Sequence, residues 1–288
     1  MYTVSASASA RAARDPAAAL SRFRSVLVGH NGTPAADAAL RLAEQLADED
    51  GMLLIVRVVG ARDGDVASAL QVLRAGVAGS HRVETRTVSG RSVERALAAL
   101  AEEMEADLIV VGSDRRPGDY RAHAVLGLRL LQSAPCAVAI ASAETDLEIR
   151  HIGVAYDGSP EAELALEATY DLALRLRAAV SLYLAILPDA NAALDGQLAH
   201  RAAGELLDAA ADRAPAGVHP ETVVVTGYAS LALAERASGV IDLLVVGSRR
   251  HGPIRHALLG STSRALAVEL DCAMLVTPRG SRFRVAVA

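Results

Sequence analysis

The stretch VVGSRRHGPIRHALLGSTSRAL, residues 245–266, opens as a buried-strand pattern and closes as a helix pattern. Gly247 ends the apolar run, and Gly260, Ser261, Thr262 and Ser263 lead into the helix. A glycine at a strand end lets the backbone turn and lets a ligand approach without a Cβ in the way. The free N–H groups and positive dipole end of a helix start suit a phosphate. Ser261 and Ser263 offer hydroxyls, and Arg249, Arg250, Arg255 and Arg264 offer charge. None of the 29 basic residues is lysine, so a Walker-type loop and lysine Schiff-base chemistry are both excluded. Asp157, at the end of the apolar run HIGVAY, is placed to accept hydrogen bonds from ribose hydroxyls. The same residues also have a bland reading, in which Ser261 caps a helix, the glycines relieve crowding and the arginines are solvated. On residue chemistry alone both readings stand.

Other groups carry less chemistry. His251 and His256 lie in the same loop, but no acidic or cysteine partner at recognisable spacing completes a metal site. Cys136 and Cys272 open equivalent apolar strands and read as buried thiols, not nucleophiles. His30 follows an apolar strand, and a catalytic base there requires an orienting partner that the sequence does not reveal. No Ser-His-Asp order and no dinucleotide Gly-x-Gly-x-x-Gly occurs.

The elements that must position these groups follow from an ordered internal repeat. VLVGHNGTPAADAAL (26–40) matches IGVAYDGSPEAELAL (152–166), VETRTVSG (83–90) matches PETVVVTG (220–227), and ADLIVVGS (106–113) matches IDLLVVGS (241–248). Strand and helix patterns alternate βαβαβαβαβ in each part. Ser159, Pro160 and Glu161 form a helix start, as N-cap, first helical residue and dipole-facing acid. Near-continuous Val, Ile and Leu runs argue for strands buried on both faces. The expected fold is α/β: two tandem Rossmann-like domains, each a five-stranded parallel sheet with helices on both faces. The expected boundaries are a disordered tail at 1–21, a first domain at 22–146, a second at 147–279 and a C-terminal tail at 280–288. Ligands of such sheets sit at the carboxyl ends of the strands, where strand order reverses.

Composition bounds the function. The 288 residues suffice for two cores, and a net charge of −5 gives no general attraction to nucleic acid. No apolar run is long enough to span a bilayer, and the Ala- and Ser-rich start lacks a compact leucine-rich segment. The chain reads as a soluble cytoplasmic protein.

VAYDGSPEAELAL, DLLVVGSRRHGPIRHALLGSTSRAL and CAMLVTP resemble the universal stress protein family, and the resemblance extends over both parts. It implies a tandem member whose ATP-binding relatives carry Gly-x2-Gly-x9-Gly-Ser/Thr. Gly247, Gly260 and Ser261 match that pattern, whereas position 250 is Arg250 and Gly252 falls two residues late. The resemblance places phosphates on Gly260, Ser261 and Thr262, with adenosine near Ala155, Asp157, Ala185 and Gly247. Arg250 either fills the room a glycine would leave or grips a phosphate. The implied function is an ATP- or adenine-nucleotide-binding stress-response regulator, with Mg²⁺ bridging phosphates, last-strand pairing that a tandem chain can satisfy internally, a further homodimer of unspecified interface and an unknown protein partner. A non-binding interaction module and a slow ATPase are the alternatives. In the first domain Asn31 stands for Asp157, and fourteen residues separate Gly112 from Gly127, against twelve between Gly247 and Gly260. Leu128 and Arg129 follow Gly127, and Asp114 and Asp119 add negative charge, so the first site is expected to be lost.

Overall fold

A computed structural model describes residues 23–59, 67–77, 81–113, 125–142, 148–187, 193–248 and 261–278. The first part runs β1 (Phe23–Gly29), α1 (Pro34–Leu46), β2 (Ala47–Val59), α2 (Ala67–Gly76), β3 (Arg82–Ser89), α3 (Val93–Glu103), β4 (Leu108–Ser113), α4 (Val125–Ser133) and β5 (Ala137–Ser142). The second repeats it as β6 (His151–Ala155), α5 (Pro160–Leu176), β7 (Ala179–Ile186), α6 (Ala193–Ala211), β8 (Glu221–Thr226), α7 (Ala229–Ala237), β9 (Leu243–Ser248), α8 (Ser261–Glu269) and β10 (Ala273–Pro278). The strands form one sheet in the order β3-β2-β1-β4-β5-β10-β9-β6-β7-β8, which reads alike from either edge. Pairing is parallel within each part. The α/β expectation holds, and the strand order reverses between β1 and β4 and between β6 and β9.

The two parts join through β5 and β10, which pair antiparallel with Met274 opposite Ile140, Leu275 opposite Ala139 and Val276 opposite Val138. Ala139 and Leu275 are each the third residue of their strand, so the pairing is symmetric about them. Arg175 of α5 reaches across to cap the end of α1, donating to the carbonyl of Leu46 at 2.7 Å and to that of Ala47. The Ile149 amide donates to Gln45 Oε1 at 2.8 Å.

Both sheet faces are covered, which explains the unbroken aliphatic runs. One core includes Leu42, Val110, Leu166, Leu182 and Val245 under α1 and α5, and the other includes Leu97, Ile109, Leu130, Leu244 and Leu266 under the opposite helices. Each such fully buried side chain contributes about 1.5–3 kcal/mol. Helix α5 starts as expected: Ser159 Oγ accepts from the Ala162 amide at 3.3 Å, Pro160 takes the first helical position, and Glu161 and Glu163 face the dipole. Asp107 and Asp242 hold the starts of the central strands from equivalent places. Asp107 Oδ2 accepts from the amides of Arg24 and Ser25, both at 2.9 Å. Asp242 Oδ2 accepts from those of Arg150 and His151, also at 2.9 Å.

Candidate functional site

Parallel pairing brings Ala155 beside Val246 and sets the carboxyl ends of β6, β7 and β9 side by side. A cleft of about 350 Å³ opens there. Ala155, Ala185, Ala229, Leu233, Val246 and Leu266 supply its apolar lining, and Asp157, Thr262 and Ser263 its polar lining, with Gly247 between them. Apolar walls with a few convergent polar groups are the usual make-up of a small-molecule site. Of the expected residues, Ala155, Asp157, Ala185, Gly247 and Thr262 therefore come together. Ser261 is the first residue of α8. Arg250 and Gly260 lie outside the described residues, as do Arg249, Arg255, His251, His256, Asp114, Asp119 and both tails.

Local geometry explains how Asp157 is presented. Gly158 turns with φ +74°, and Asp157 Oδ1 accepts from the Ser159 amide at 3.0 Å. An Asx-type turn of this kind fixes the carboxylate at the mouth of the cleft, on its exposed side. The first part builds the same turn without the charge. Gly32 has φ +82°, and Asn31 Oδ1 accepts from the Thr33 amide at 3.2 Å and from Thr33 Oγ1 at 2.7 Å.

Gly247 has a further reason for being glycine besides the one its sequence position suggests. A Cβ there would lie 2.4 Å from the carbonyl oxygen of Glu161, in the first turn of α5. Gly112 is in the same situation, with a would-be Cβ 2.0 Å from Ala35 O. Helix-on-strand packing by itself demands both residues. Gly127 also needs correction. The equivalent helix ends, where the Ala134 amide donates to Leu130 O and the Leu270 amide to Leu266 O, align Gly127 with Ser263, so it is not the counterpart of Gly260. Val125 and Leu126 stand where α8 has Ser261 and Thr262. The spacing argument thus paired the wrong residues, although the hydroxyls are absent as expected.

Sequence reading missed the polar support behind the cleft. Tyr156, buried at the end of β6, donates its hydroxyl to Glu163 Oε1 at 2.5 Å and accepts from Arg213 Nη2 at 3.0 Å. Arg213 also pairs with Glu163 at 3.0 Å. Burial, reinforced by Glu163, pushes the Tyr156 hydroxyl pKa up. The equivalent pair in the first part is His30 and Asp37, with Nε2 3.0 Å from Oδ1. His30 Nδ1 accepts from the Gly32 amide at 3.2 Å, which leaves the ring proton on Nε2, facing Asp37. His30 therefore does have an orienting partner, contrary to expectation, but both nitrogens are occupied and neither faces a substrate as a base. Ring and carboxylate lie seven residues apart in both parts, straddling a helix start, and this spacing was the available signal.

The two cysteines behave as expected. Both are buried, and burial pushes each thiol pKa up to about 12. Among the described residues no group of three or more His, Cys, Asp or Glu side chains is arranged to hold a metal. No described helix is long and apolar enough to cross a membrane.

Fold and site together define a doubly wound α/β protein with a cleft at the reversal of strand order. Residues 148–278 match the model of the universal stress protein family. Among solved structures, the chain is similar to a universal stress protein from Archaeoglobus fulgidus, with TM-score 0.67, 16% identity, and 91% of this chain and 98% of that one covered. It is also similar to a putative universal stress protein from Pseudomonas aeruginosa, with TM-score 0.64, 21% identity and coverages of 89% and 93%. The cytoplasmic domain of a prokaryotic cation chloride cotransporter gives TM-score 0.59 at 14% identity, with coverages of 92% and 99%. At such identities the likeness is one of fold, and this fold serves more than one kind of protein. No curated protein gives a significant match.

Proposed function

We propose that the second part of the chain binds ATP or a related adenine nucleotide and that the protein is a stress-response regulator whose output depends on that ligand. One observation carries this reading. An apolar cleft at the strand-order reversal has a carboxylate, Asp157, and the first turn of α8 in its lining. An adenine ring suits the walls at Ala155 and Ala185, ribose hydroxyls suit Asp157, and a phosphate suits a helix start. Gly260, Ser261 and Thr262 would meet the phosphates, with Arg250 as their counter-charge and Gly247 beneath. The universal stress protein domain at 148–278 supports the same assignment.

Mg²⁺ would enter this site as a companion of the phosphates, beside the Thr262 and Ser263 hydroxyls of the cleft lining. When bound, it neutralises phosphate charge. The chain's part is to bind and orient, and Asp157 is committed by its Asx turn to recognition at the rim, not to activating water. Ligand-dependent partner choice, in a tandem chain that further assembles as a cytoplasmic homodimer, is the corresponding mode of action. In the first part the loss of the Asp157 carboxylate and of the α8 hydroxyls argues against a nucleotide.

The test is to denature protein purified without added ligand, identify any released small molecule, and titrate the stripped protein with ATP and Mg²⁺ by calorimetry. An adenine nucleotide released, or one site filled on titration, is the expected result. No release and no heat at millimolar ATP overturns the reading.

A further inference from the structure

The first part keeps an opening although the nucleotide reading has no use for one. At the ends of β1, β2 and β4, about 120 Å³ remains free. The exchanges relative to the second cleft reshape the space without closing it. Val58 stands for Ala185, Val93 for Ala229 and Leu126 for Thr262, which adds aliphatic bulk, while Val56 for Tyr183 and Gly29 for Ala155 give space back. Asn31 for Asp157 removes the charge. The space has nonetheless not been filled. Gly29 replaces the alanine of the second part, and a Cβ there would stand 3.0 Å from Leu97 Cδ1.

The polar groups of this opening are equally selective. His30 is only 5% exposed, and its ring nitrogens are taken by Asp37 and by the Gly32 amide. Asn31 Oδ1 is taken by Thr33. The Asn31 amide N–H₂ is left as a donor, with no protein partner among the described residues. None of the described lining residues is cationic. The described lining therefore offers no counter-charge to a phosphate or carboxylate, which would lose hydration on entering. An apolar engineered cavity of about 150 Å³ is known to bind benzene, which sets the scale of the occupant.

We propose that the first part binds a compact, uncharged, mainly apolar molecule about the size of one aromatic ring, with a single oxygen that accepts from the Asn31 amide. The chain then carries two sites of different chemistry at equivalent places. The proposal does not depend on nucleotide binding by the second part.

The full-length chain is titrated with 4-fluorophenol, fluorobenzene and 4-fluorobenzoate, each followed by ¹⁹F NMR. Saturable binding of 4-fluorophenol in the millimolar range is expected, as suits a ligand of so few atoms. Fluorobenzene binds more weakly, and 4-fluorobenzoate gives no saturable shift. Val58→Phe fills the opening. Val93→Asp places a carboxylate at its half-exposed rim, in the first turn of α3, where the helix dipole favours an acid and the fold is kept. Each variant weakens 4-fluorophenol by about tenfold or more, the loss expected for excluding a ring or opposing it with a charge. Asp157→Asn leaves it unchanged. If Val58→Phe fails to fold, Val93→Asp alone decides. No saturable 4-fluorophenol binding, binding that survives Val93→Asp, or equal binding of 4-fluorobenzoate overturns the proposal. Fluorobenzene binding as tightly as 4-fluorophenol overturns the role given to Asn31.

Discussion

Gly247 and Glu161 stand so close that a Cβ on the glycine would sit 2.4 Å from the Glu161 carbonyl oxygen. The contact is backbone against backbone, so no rotamer change relieves it. The first part repeats it between Gly112 and Ala35. Gly247→Ala and Gly112→Ala should therefore both destabilise the chain by about 1–3 kcal/mol or more, as overpacking does. Urea unfolding measures this directly. If Gly247 served only ligand approach, Gly247→Ala would leave the unfolding midpoint unchanged.

Asp157 and Asn31 separate turn formation from charge. Both side-chain oxygens accept the amide two residues on, so Asp157→Asn keeps the turn and removes only the carboxylate. The unfolding midpoint should stay within experimental error of the parent. Nucleotide affinity should fall about tenfold or more, the worth of a hydrogen bond to a charged group being about 1.5–3 kcal/mol. Asn31→Ala should leave nucleotide affinity untouched. Calorimetry on both variants checks the pair, and an Asp157→Asn protein that binds ATP like the parent would remove Asp157 from the site.

What was legible in the sequence was whatever depends on period and local chemistry. Aliphatic runs buried on both faces gave the parallel strands, and Ser159 with Pro160 marked the start of α5 at the residue where it begins. Gly247 and Asp157 are legible together because strand ends in such sheets converge, whereas Ala155 and Ala185 come only from the family resemblance. Long-range packing was not legible. The reason for Gly247 lies in a helix eighty-odd residues earlier, and nothing near position 247 betrays it. The Tyr156–Glu163–Arg213 cluster draws its arginine from beyond the end of α6, a relation visible only once α6 is folded against the sheet. Gly127 is misaligned by a count of residues across a loop, because the register is fixed only by how the helix that follows ends against the sheet.

Asp107 ties stability to pH. Its carboxylate accepts from the Arg24 and Ser25 amides, yet burial dominates and raises its pKa above the ordinary 3.8. A carboxyl with a raised folded pKa binds its proton more tightly in the folded state. Its contribution is thus present below 3.8 and is lost as pH rises through the folded value. Asp107→Asn cannot ionise and should lack this slope. The stability difference, parent minus variant, should then shrink as pH rises from about 3 towards neutrality. Urea unfolding of both proteins across that range decides the matter, and a difference that grows with pH would show that the backbone hydrogen bonds outweigh burial.

Cys136 and Cys272 give a reporter of global unfolding. They open β5 and β10 at the seam, 5% and 7% exposed, with thiol pKa values pushed up to about 12, chiefly by burial. Only the thiolate is nucleophilic, so at neutral pH the folded chain should resist iodoacetamide while the unfolded chain reacts at both positions. The raised values also mean that stability should fall as pH climbs from 9.0 towards about 12, where unfolded thiols ionise first. Mass spectrometry of alkylation against urea concentration should give one transition coincident with loss of helical signal. Modification of either cysteine well before that transition would mean that the β5–β10 seam opens on its own, and that the two parts are not held as one sheet.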